Sequence, residues 1–246
     1  MVKALRCAAA AAVWLLLWQL LHSVVGLSVL VPSPLEVLRE LLRLGLEPAF
    51  WLSVLSSLGR VLAGFLLGCA AGTLLALLTS FSRWALDFFS PMLHVIKATP
   101  VASFIILALV WLRVSAIPVF TAFLIVLPTA WSNVSAGIAA ADPQLLEMAR
   151  AFRFSRKSIL LQIYLPTLRP YLTAAASIGM GMAWKAGIAA EVLCTPRYSI
   201  GSALYSSKIY LDTPGLFAWT AAVILLSVLL EHLLLALSKA GKEARR

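Results

Sequence analysis

Charged side chains that interrupt long apolar runs are the first candidates for chemistry in this sequence. Lys97 lies in the run IKATP, and Lys185 and Glu191 lie in GMAWKAGIAAE. Charges at membrane depth are costly and usually face a water-filled cavity or an opposite charge. Two lysines along one path would suit an anionic or carboxylate-bearing solute. Glu191 could pair with one of them, although Lys185 and Glu191 are six residues apart and do not share a face of a straight helix.

Polar and aromatic residues near these charges could line the same cavity. For each tryptophan the alternative is core packing or anchoring at the membrane interface. The candidates for the solute path, in addition to the three charges, are Thr99, Trp131, Asn133 and Trp184.

Catalytic chemistry is poorly represented. The chain has only 10 Asp and Glu, and they form no cluster with histidine. His22, His94 and His232 lack metal-ligand spacing, so we expect no metal site. No phosphate-binding G-x-x-x-x-G-K motif is present, so any ATP must be hydrolysed by another chain. Cys7, Cys69 and Cys194 show no redox or metal spacing, and we expect them to be small buried residues.

The composition indicates a membrane protein. Of the 246 residues, 62% are hydrophobic and 12% are charged, against roughly 25% charged in soluble domains. The apolar runs predict an all-α protein with about six spans of roughly 20 residues each. The predicted spans cover about Leu5–Val25, Leu58–Thr79, Ala85–Leu112 with an interruption, Val119–Ala139, Tyr171–Ala190 and Leu216–Leu237. The run from Cys7 to about Val25 is longer than a typical signal-peptide core, so we expect the first span to be uncleaved.

Basic residues predict the orientation. Arg83 follows the second span, a basic cluster follows the fourth, and both termini are basic. An even number of spans with both termini in the cytoplasm places all of these residues inside, as the positive-inside rule requires. The net charge of +10 is therefore interpreted as topology and lipid contact, with no nucleic-acid partner.

Two spans have unusual features. Gly64, Gly68 and Gly72 lie four residues apart and share one helix face, which favours close packing of a second helix; a narrow pore lining is the alternative. Pro100 interrupts the third span, because proline removes an amide donor and disfavours helix at Thr99. Such breaks often mark the substrate path in transporters, the alternative being a packed kink with Lys97 snorkelling. On a straight helix Lys97 would lie about 18 Å from the inner end of its span.

An external helix is predicted after the first span. Ser33 is a suitable N-cap, Pro34 suits the first helical position, and Glu36 completes a capping box. We expect an amphipathic helix at the outer interface, with the acidic and basic residues on one face and Leu35, Leu38, Leu41 and Leu42 on the other. A second external segment, from Cys194 to about Gly215, is expected to be a loop with one short helix.

The polar segment between the fourth and fifth spans predicts two short helices. Asp142 and Pro143 begin a helix that should run through Glu147 to about Phe152. Ser155 should cap a second helix from Arg156 to about Tyr164, which Leu165-Pro166 should end. A loop that served only topology would not need this design.

The same segment resembles the EAA loop of binding-protein-dependent ABC importer permeases. The sequence reads Glu147-Met148-Ala149, three residues, Arg153, nine residues, then Ile163-Tyr164-Leu165-Pro166, which keeps the family spacing throughout. Met148 replaces an alanine and Arg153 replaces a glycine of the pattern. If the turn needs φ > 0, Arg153 costs about 1 kcal/mol.

The resemblance extends over most of the chain. Features similar to the subgroup that imports sulfonates, nitrate, taurine or thiamine pyrimidine precursors are Pro32-Ser33-Pro34, the glycine ladder, Ser82-Arg83-Trp84, Pro100, Trp184, Glu191 and Ile200-Gly201. It implies a type I importer fold, one permease domain over residues 1–246 in a bacterial cytoplasmic membrane, and a coupling loop at about 140–168. The residues it assigns to ATPase coupling are Glu147, Ala149, Arg150, Phe152, Arg153 and Ser155.

The resemblance also implies partners. Two permease subunits, here expected to be identical, would pair with two ATPase subunits that bind ATP and Mg²⁺, and an external binding protein would deliver solute. This chain itself would bind no cofactor. The competing classes are a secondary transporter or channel and, less favoured, a membrane-embedded transferase. Intramembrane carboxylates would support the first and an acidic or histidine cluster the second, and neither is found mid-span.

Overall fold

The computed structural model describes residues 2–243, with side chains described throughout except at 2–5, 7, 8, 235 and 237–243. The expectations for Lys3, Cys7 and the terminal basic residues from Lys239 to Arg246 therefore lie outside the described side chains. Over the described range the protein is helical, with no strand.

Eleven α-helices follow one another in residues 2–243. They are α1 (Val2–Val25), α2 (Pro34–Gly45), α3 (Pro48–Phe81), α4 (Arg83–Ala98), α5 (Val101–Trp111), α6 (Ile117–Ala139), α7 (Pro143–Ala151), α8 (Arg156–Ile159), α9 (Leu165–Cys194), α10 (Ile200–Ile209) and α11 (Thr213–Glu243). A 3₁₀ turn, Val114–Ala116, precedes α6, and a π-helical turn, Leu160–Tyr164, joins α8 to α9.

Each predicted span coincides with a helix or a helix pair. Three stretches, Pro48–Phe81, Val114–Ala139 and Thr213–Leu234, are long and apolar enough to cross a membrane, and a fourth is added if α4 and α5 count as one span. The apolar part of α1, Ala9–Val25, is shorter, and α9 is interrupted by charges. The break at Pro100 is sharper than a kink, because α4 and α5 are bent by 105°.

The glycine ladder of α3 packs against α6. A Cβ atom at Gly64 would collide with the carbonyl oxygen of Val119, and one at Gly68 would lie 2.7 Å from Cβ of Val126. At Gly72 it would lie 2.7 Å from Cβ of Ala130. The prediction of close helix packing is confirmed, and the pore-lining alternative is wrong at these positions, because the space beside each glycine is filled by α6.

Gly64→Ala tests this packing. The added methyl group meets a backbone carbonyl, so we expect overpacking to cost about 1–3 kcal/mol. Thermal unfolding of the detergent-solubilised protein measures the loss. Gly59→Ala on the same helix is the matched control, because a Cβ atom there would meet no neighbouring atom within 4 Å. Equal unfolding temperatures for the two variants would contradict the packing account.

Helix α2 has the predicted start and buries a narrow stripe of its own. Ser33 Oγ accepts from the Glu36 amide at 3.2 Å, and Glu36 Oε2 accepts from the Ser33 amide at 2.8 Å, which confirms the capping box. Val37 and Leu44 are the buried residues of the helix. Leu35, Leu38 and Leu42 of the predicted apolar face are exposed, as leucines that meet the membrane interface would be. Only one stripe of α2 contacts other helices, and the exposed leucines form a separate row suited to lipid.

Candidate coupling loop and solute path

Helix α7 begins where the sequence predicts. Asp142 Oδ1 accepts from the Gln144 amide at 2.8 Å, and Pro143 occupies the first helical position. Pro143 has no amide hydrogen to satisfy, and the Gln144 amide is satisfied by Asp142, so neither residue needs a hydrogen-bond acceptor within the helix. The helix ends at Ala151, one residue before the predicted end.

The turn after α7 is a Schellman motif centred on Arg153. The Phe154 amide donates to the Ala149 carbonyl at 2.8 Å, and the Arg153 amide donates to the Arg150 carbonyl at 3.0 Å. These are the two bonds that define the motif, which requires a left-handed residue between them. Arg153 has φ 52°. The turn therefore needs positive φ at the position where the loop pattern has glycine. Under that condition we expect Arg153 to cost conformational free energy relative to glycine.

Arg153→Gly should leave the loop functional and slightly more stable. Glycine adopts positive φ without steric cost, so the folded protein should gain about 1 kcal/mol. Thermal unfolding together with ATP hydrolysis by the assembled transporter measures both effects. Loss of hydrolysis at unchanged stability would show that the Arg153 side chain itself contacts the partner.

The second loop helix does not end at Leu165-Pro166, which corrects the sequence prediction. Ser155 caps α8 by accepting from the Ser158 amide at 3.1 Å. The chain then passes through the π-helical turn, in which the Leu165 amide donates to the Leu160 carbonyl, and continues directly into α9. Proline crowds the carbonyl four residues earlier, and a π turn widens the helix at that point. The loop is therefore mechanically continuous with a long helix.

The loop exposes apolar side chains. Phe152 is 73% exposed, and Leu145 and Met148 are each 45% exposed. Glu147, Arg150 and Ser155 are also exposed, whereas Ala149 is fully buried. Ala149 thus allows close approach of α7 to its own chain and offers no surface to a partner, contrary to the role expected for it. The remaining coupling assignments stay predictions.

The break between α4 and α5 borders a small cavity. The Thr99 amide and hydroxyl both donate to the Val95 carbonyl, at 3.0 and 2.8 Å, which ends α4. A cavity of about 160 Å³ opens beside it. Its polar lining residues are Lys97, Thr99 and Thr129, and Met182 contributes from α9. The break therefore faces protein and open space, as broken helices at membrane depth must.

Lys97, which lines this cavity, lies close to the Trp131 ring. Nζ of Lys97 lies 5.5 Å from the centre of the Trp131 ring, within cation–π range. Trp131 Nε1 donates to Thr79 Oγ1 at 2.9 Å, which fixes the ring. Asn133 donates from its side chain to the Thr129 carbonyl at 2.9 Å, so its amide nitrogen is engaged by its own helix.

Lys185 is exposed on α9, three residues after Met182 of the cavity lining. Residues three apart are neighbours on a helix surface. Lys185 therefore lies about one turn from the cavity, on the same side of α9.

Trp184 does not belong to the path. It is 1% exposed and lies in the main hydrophobic core. Its Nε1 donates to the Val223 carbonyl of α11 at 3.1 Å. The prediction that Trp184 lines the path is therefore corrected. Adjacent residues of a helix point in different directions, and here the Lys185 side chain is exposed while the Trp184 side chain is buried.

Glu191 also lies elsewhere than predicted, in a buried polar clamp of Ser57, Arg60 and Glu191. The carboxylate is 0% exposed and lies 2.9 Å from the Arg60 guanidinium. It also accepts from Ser57 Oγ at 2.6 Å and from the Gly201 amide at 3.2 Å. It pairs with neither Lys97 nor Lys185, because Arg60 and the N-terminus of α10 occupy its oxygens.

The clamp also orders the external loop. Arg60 donates to the carbonyls of Arg197 and Tyr198 at 2.9 and 3.2 Å. Thr195 and Tyr198 have φ 47° and 50°, an unfavourable backbone for residues with side chains. Sequence reasoning missed Arg60 and Ser57, although a lone arginine in the apolar run of α3 was a signal that Glu191 had a partner.

Apolar helices long enough to cross a membrane, a broken helix beside a cavity lined by Lys97, and a short helical loop are features typical of a membrane transport protein. Among the side chains that the structure describes, no three metal-ligating residues lie together. The chain belongs to the binding-protein-dependent transport system inner membrane components, whose family model matches residues 64–240. It is thus an ABC importer permease, the membrane component of such a transporter.

Similar proteins carry related names. A probable ABC transporter permease of Brucella melitensis is 28% identical over 212 residues, covering 85% of each chain. A nitrate import permease of Synechocystis sp. is 29% identical over 202 residues, covering 78% of this chain and 72% of the relative. A bicarbonate transport system permease of Synechococcus elongatus is 25% identical over 200 residues, covering 76% and 71%.

A solved structure has the same fold. A chain of an amino acid ABC transporter crystallised with histidines superposes with a TM-score of 0.66 at 16% identity, covering 78% of this chain and 94% of the other.

Proposed function

We propose that this permease forms the path for a small anionic solute and is driven by separate ATPase subunits through the α7–α8 loop. The observation that carries the proposal is the loop itself. Its cap, Schellman turn and π-helical continuation into α9 make a short helix pair that moves as a unit with a long helix. Exposed Phe152 supplies an apolar contact for the partner.

The proposal that the solute is an anion rests on the charged residues near the cavity. Lys97 and Lys185 are exposed near one cavity, and the buried carboxylate of Glu191 is neutralised by Arg60. The path is thereby left with a positive character. Nitrate and bicarbonate are named for two of the relatives, and sulfonates are the third anion to be tested. Taurine and a pyrimidine precursor, which carry no net negative charge, are the comparison solutes.

The assembly follows from the same proposal. Two copies of this chain pair in the bacterial cytoplasmic membrane, two ATPase subunits bind ATP and Mg²⁺ on the inner side, and a binding protein docks outside. The whole chain acts as one permease domain. A secondary transporter, the runner-up, would drive uptake without ATP.

Uptake measured with Lys97→Ala and Lys185→Ala tests the solute path. We expect at least one variant to lower uptake of the transported anion about ten-fold or more, because a missing charge partner for an anion costs of order 1.5–3 kcal/mol. ATPase assembly is the control and should be unchanged. Unchanged uptake in both variants removes the lysines from the path.

A further inference from the structure

Helix α4 carries a continuous polar stripe. Five polar side chains recur at alternating spacings of four and three: Arg83, Asp87, Ser90, His94 and Lys97. At 3.6 residues per turn they fall within about 80° of the helix circumference, and they extend along about 21 Å of its axis. This is two-thirds of the thickness of a bilayer core.

The stripe is distinct from the two other faces of α4. Ala85 and Leu93 are buried, and Leu93 packs with Leu75 of α3 and Leu127 of α6. A separate row consists of large, exposed apolar side chains. In this row the Trp84 ring stacks on the Phe88 ring with 5.4 Å between the ring centroids. That row suits lipid, whereas the polar stripe does not.

The polar stripe is largely unpartnered within the described residues. Arg83, Asp87, His94 and Lys97 are exposed, and none of them forms an ion pair within 4 Å with any side chain that the structure describes. Nδ1 of His94 lies 2.6 Å from the Ser90 carbonyl, so only Nε2 is directed outward. Four charged or polar side chains in lipid would be costly, so the stripe must face water or a protein surface.

Each end of the stripe borders a cavity. Lys97 lines the cavity at the helix break. Arg83 lines a larger one of about 530 Å³ near the inner end, together with Thr79, Ser80, Ser82, Trp131 and Ser135. The Ser135 hydroxyl is buried without a hydrogen-bond partner among the described residues. Because buried polar groups are normally satisfied, water in this cavity would supply the partner that the hydroxyl lacks.

We propose that the polar stripe of α4 is the inner half of the anion path, along which a small oxyanion passes in water from Lys97 to the cavity beside Arg83. The inference rests on the proposed function for the charge of the solute. Cationic residues at the two ends attract the anion. Asp87 between them limits the depth of the electrostatic well, and conduction requires binding weak enough for release.

Thiol labelling tests the stripe without transport. In a chain with Cys7, Cys69 and Cys194 replaced by alanine, Ser90→Cys and His94→Cys are compared with Phe88→Cys and Val95→Cys on the apolar row. The probe is the anionic sulfonatoethyl methanethiosulfonate, added to inverted membrane vesicles. We expect both stripe thiols to react at least ten-fold faster than the apolar-row thiols, because a thiol must ionise in water to react.

Protection by anions completes the test. Nitrate, bicarbonate or an alkanesulfonate at saturating concentration should slow the stripe reaction several-fold. Stripe thiols that react no faster than Val95→Cys overturn the inference. Fast reaction that none of the anions slows also overturns it. Retained ATP hydrolysis shows that each variant is assembled. If His94→Cys does not fold, Ser90→Cys still gives the test, because serine and cysteine are nearly isosteric.

The uptake assay separates this inference from the proposed function. If an anion is transported but the stripe thiols are slow, only the stripe inference fails. If no anion is transported although the stripe thiols react quickly, the proposed function fails. The part of the stripe inference that concerns an anion then fails with it.

Discussion

Arg60→Gln is expected to destabilise the protein by about 3–5 kcal/mol, the usual cost of breaking a buried ion pair from one side. The Glu191 carboxylate is 0% exposed, so without Arg60 its charge is left buried. The carbonyls of Arg197 and Tyr198 lose their donor at the same time. Thermal unfolding in detergent should show a large drop in midpoint temperature.

The double variant Arg60→Gln, Glu191→Gln is the control for charge. It removes both charges and keeps groups that can hydrogen bond, so it should recover much of the stability lost in the single variant. Arg43→Gln is the matched surface change, since its ion pairs with Glu40 and Glu47 are exposed and worth little. A single Arg60 variant as stable as the Arg43 variant would contradict the clamp.

Phe152→Ser is expected to weaken ATPase binding roughly 30-fold, from the loss of about 2 kcal/mol typical of a central aromatic contact. Phe152 is 73% exposed beside a rigid turn, so its removal should leave the permease itself folded. Titration of purified ATPase onto the permease in detergent measures the affinity.

Tyr210→Ser is the matched control, because Tyr210 is 81% exposed but lies at the end of α10, in the segment predicted to be external. Its removal should leave ATPase affinity unchanged. Equal affinities for wild type and the Phe152 variant would show that another part of the loop makes the contact.

The sequence predicted features that depend on local geometry. Ser33, Asp142 and Ser155 cap helices because each is followed within three residues by an amide it can accept from. The glycine spacing predicted close packing because only a bare backbone admits a second helix. The loop pattern made positive φ at Arg153 a condition and not a prediction, and the structure fulfils that condition.

Long-range pairing could not be predicted in the same way. Glu191 and Arg60 are 131 residues apart, and nothing local indicates which charge a buried carboxylate will meet. Trp184 and Lys185 are adjacent, and only the position of α11 decides which of them is buried. The end of α8 was misjudged because a π turn accommodates Pro166, a choice that depends on continuity with α9.

ATP-dependent uptake tests the central claim most directly. Proteoliposomes would contain this permease with its ATPase subunits, and a labelled anion would be supplied together with the binding protein. The account predicts accumulation that requires ATP and is strongly reduced by Phe152→Ser and unaffected by Tyr210→Ser. Accumulation driven by an ion gradient in the absence of ATP would contradict it.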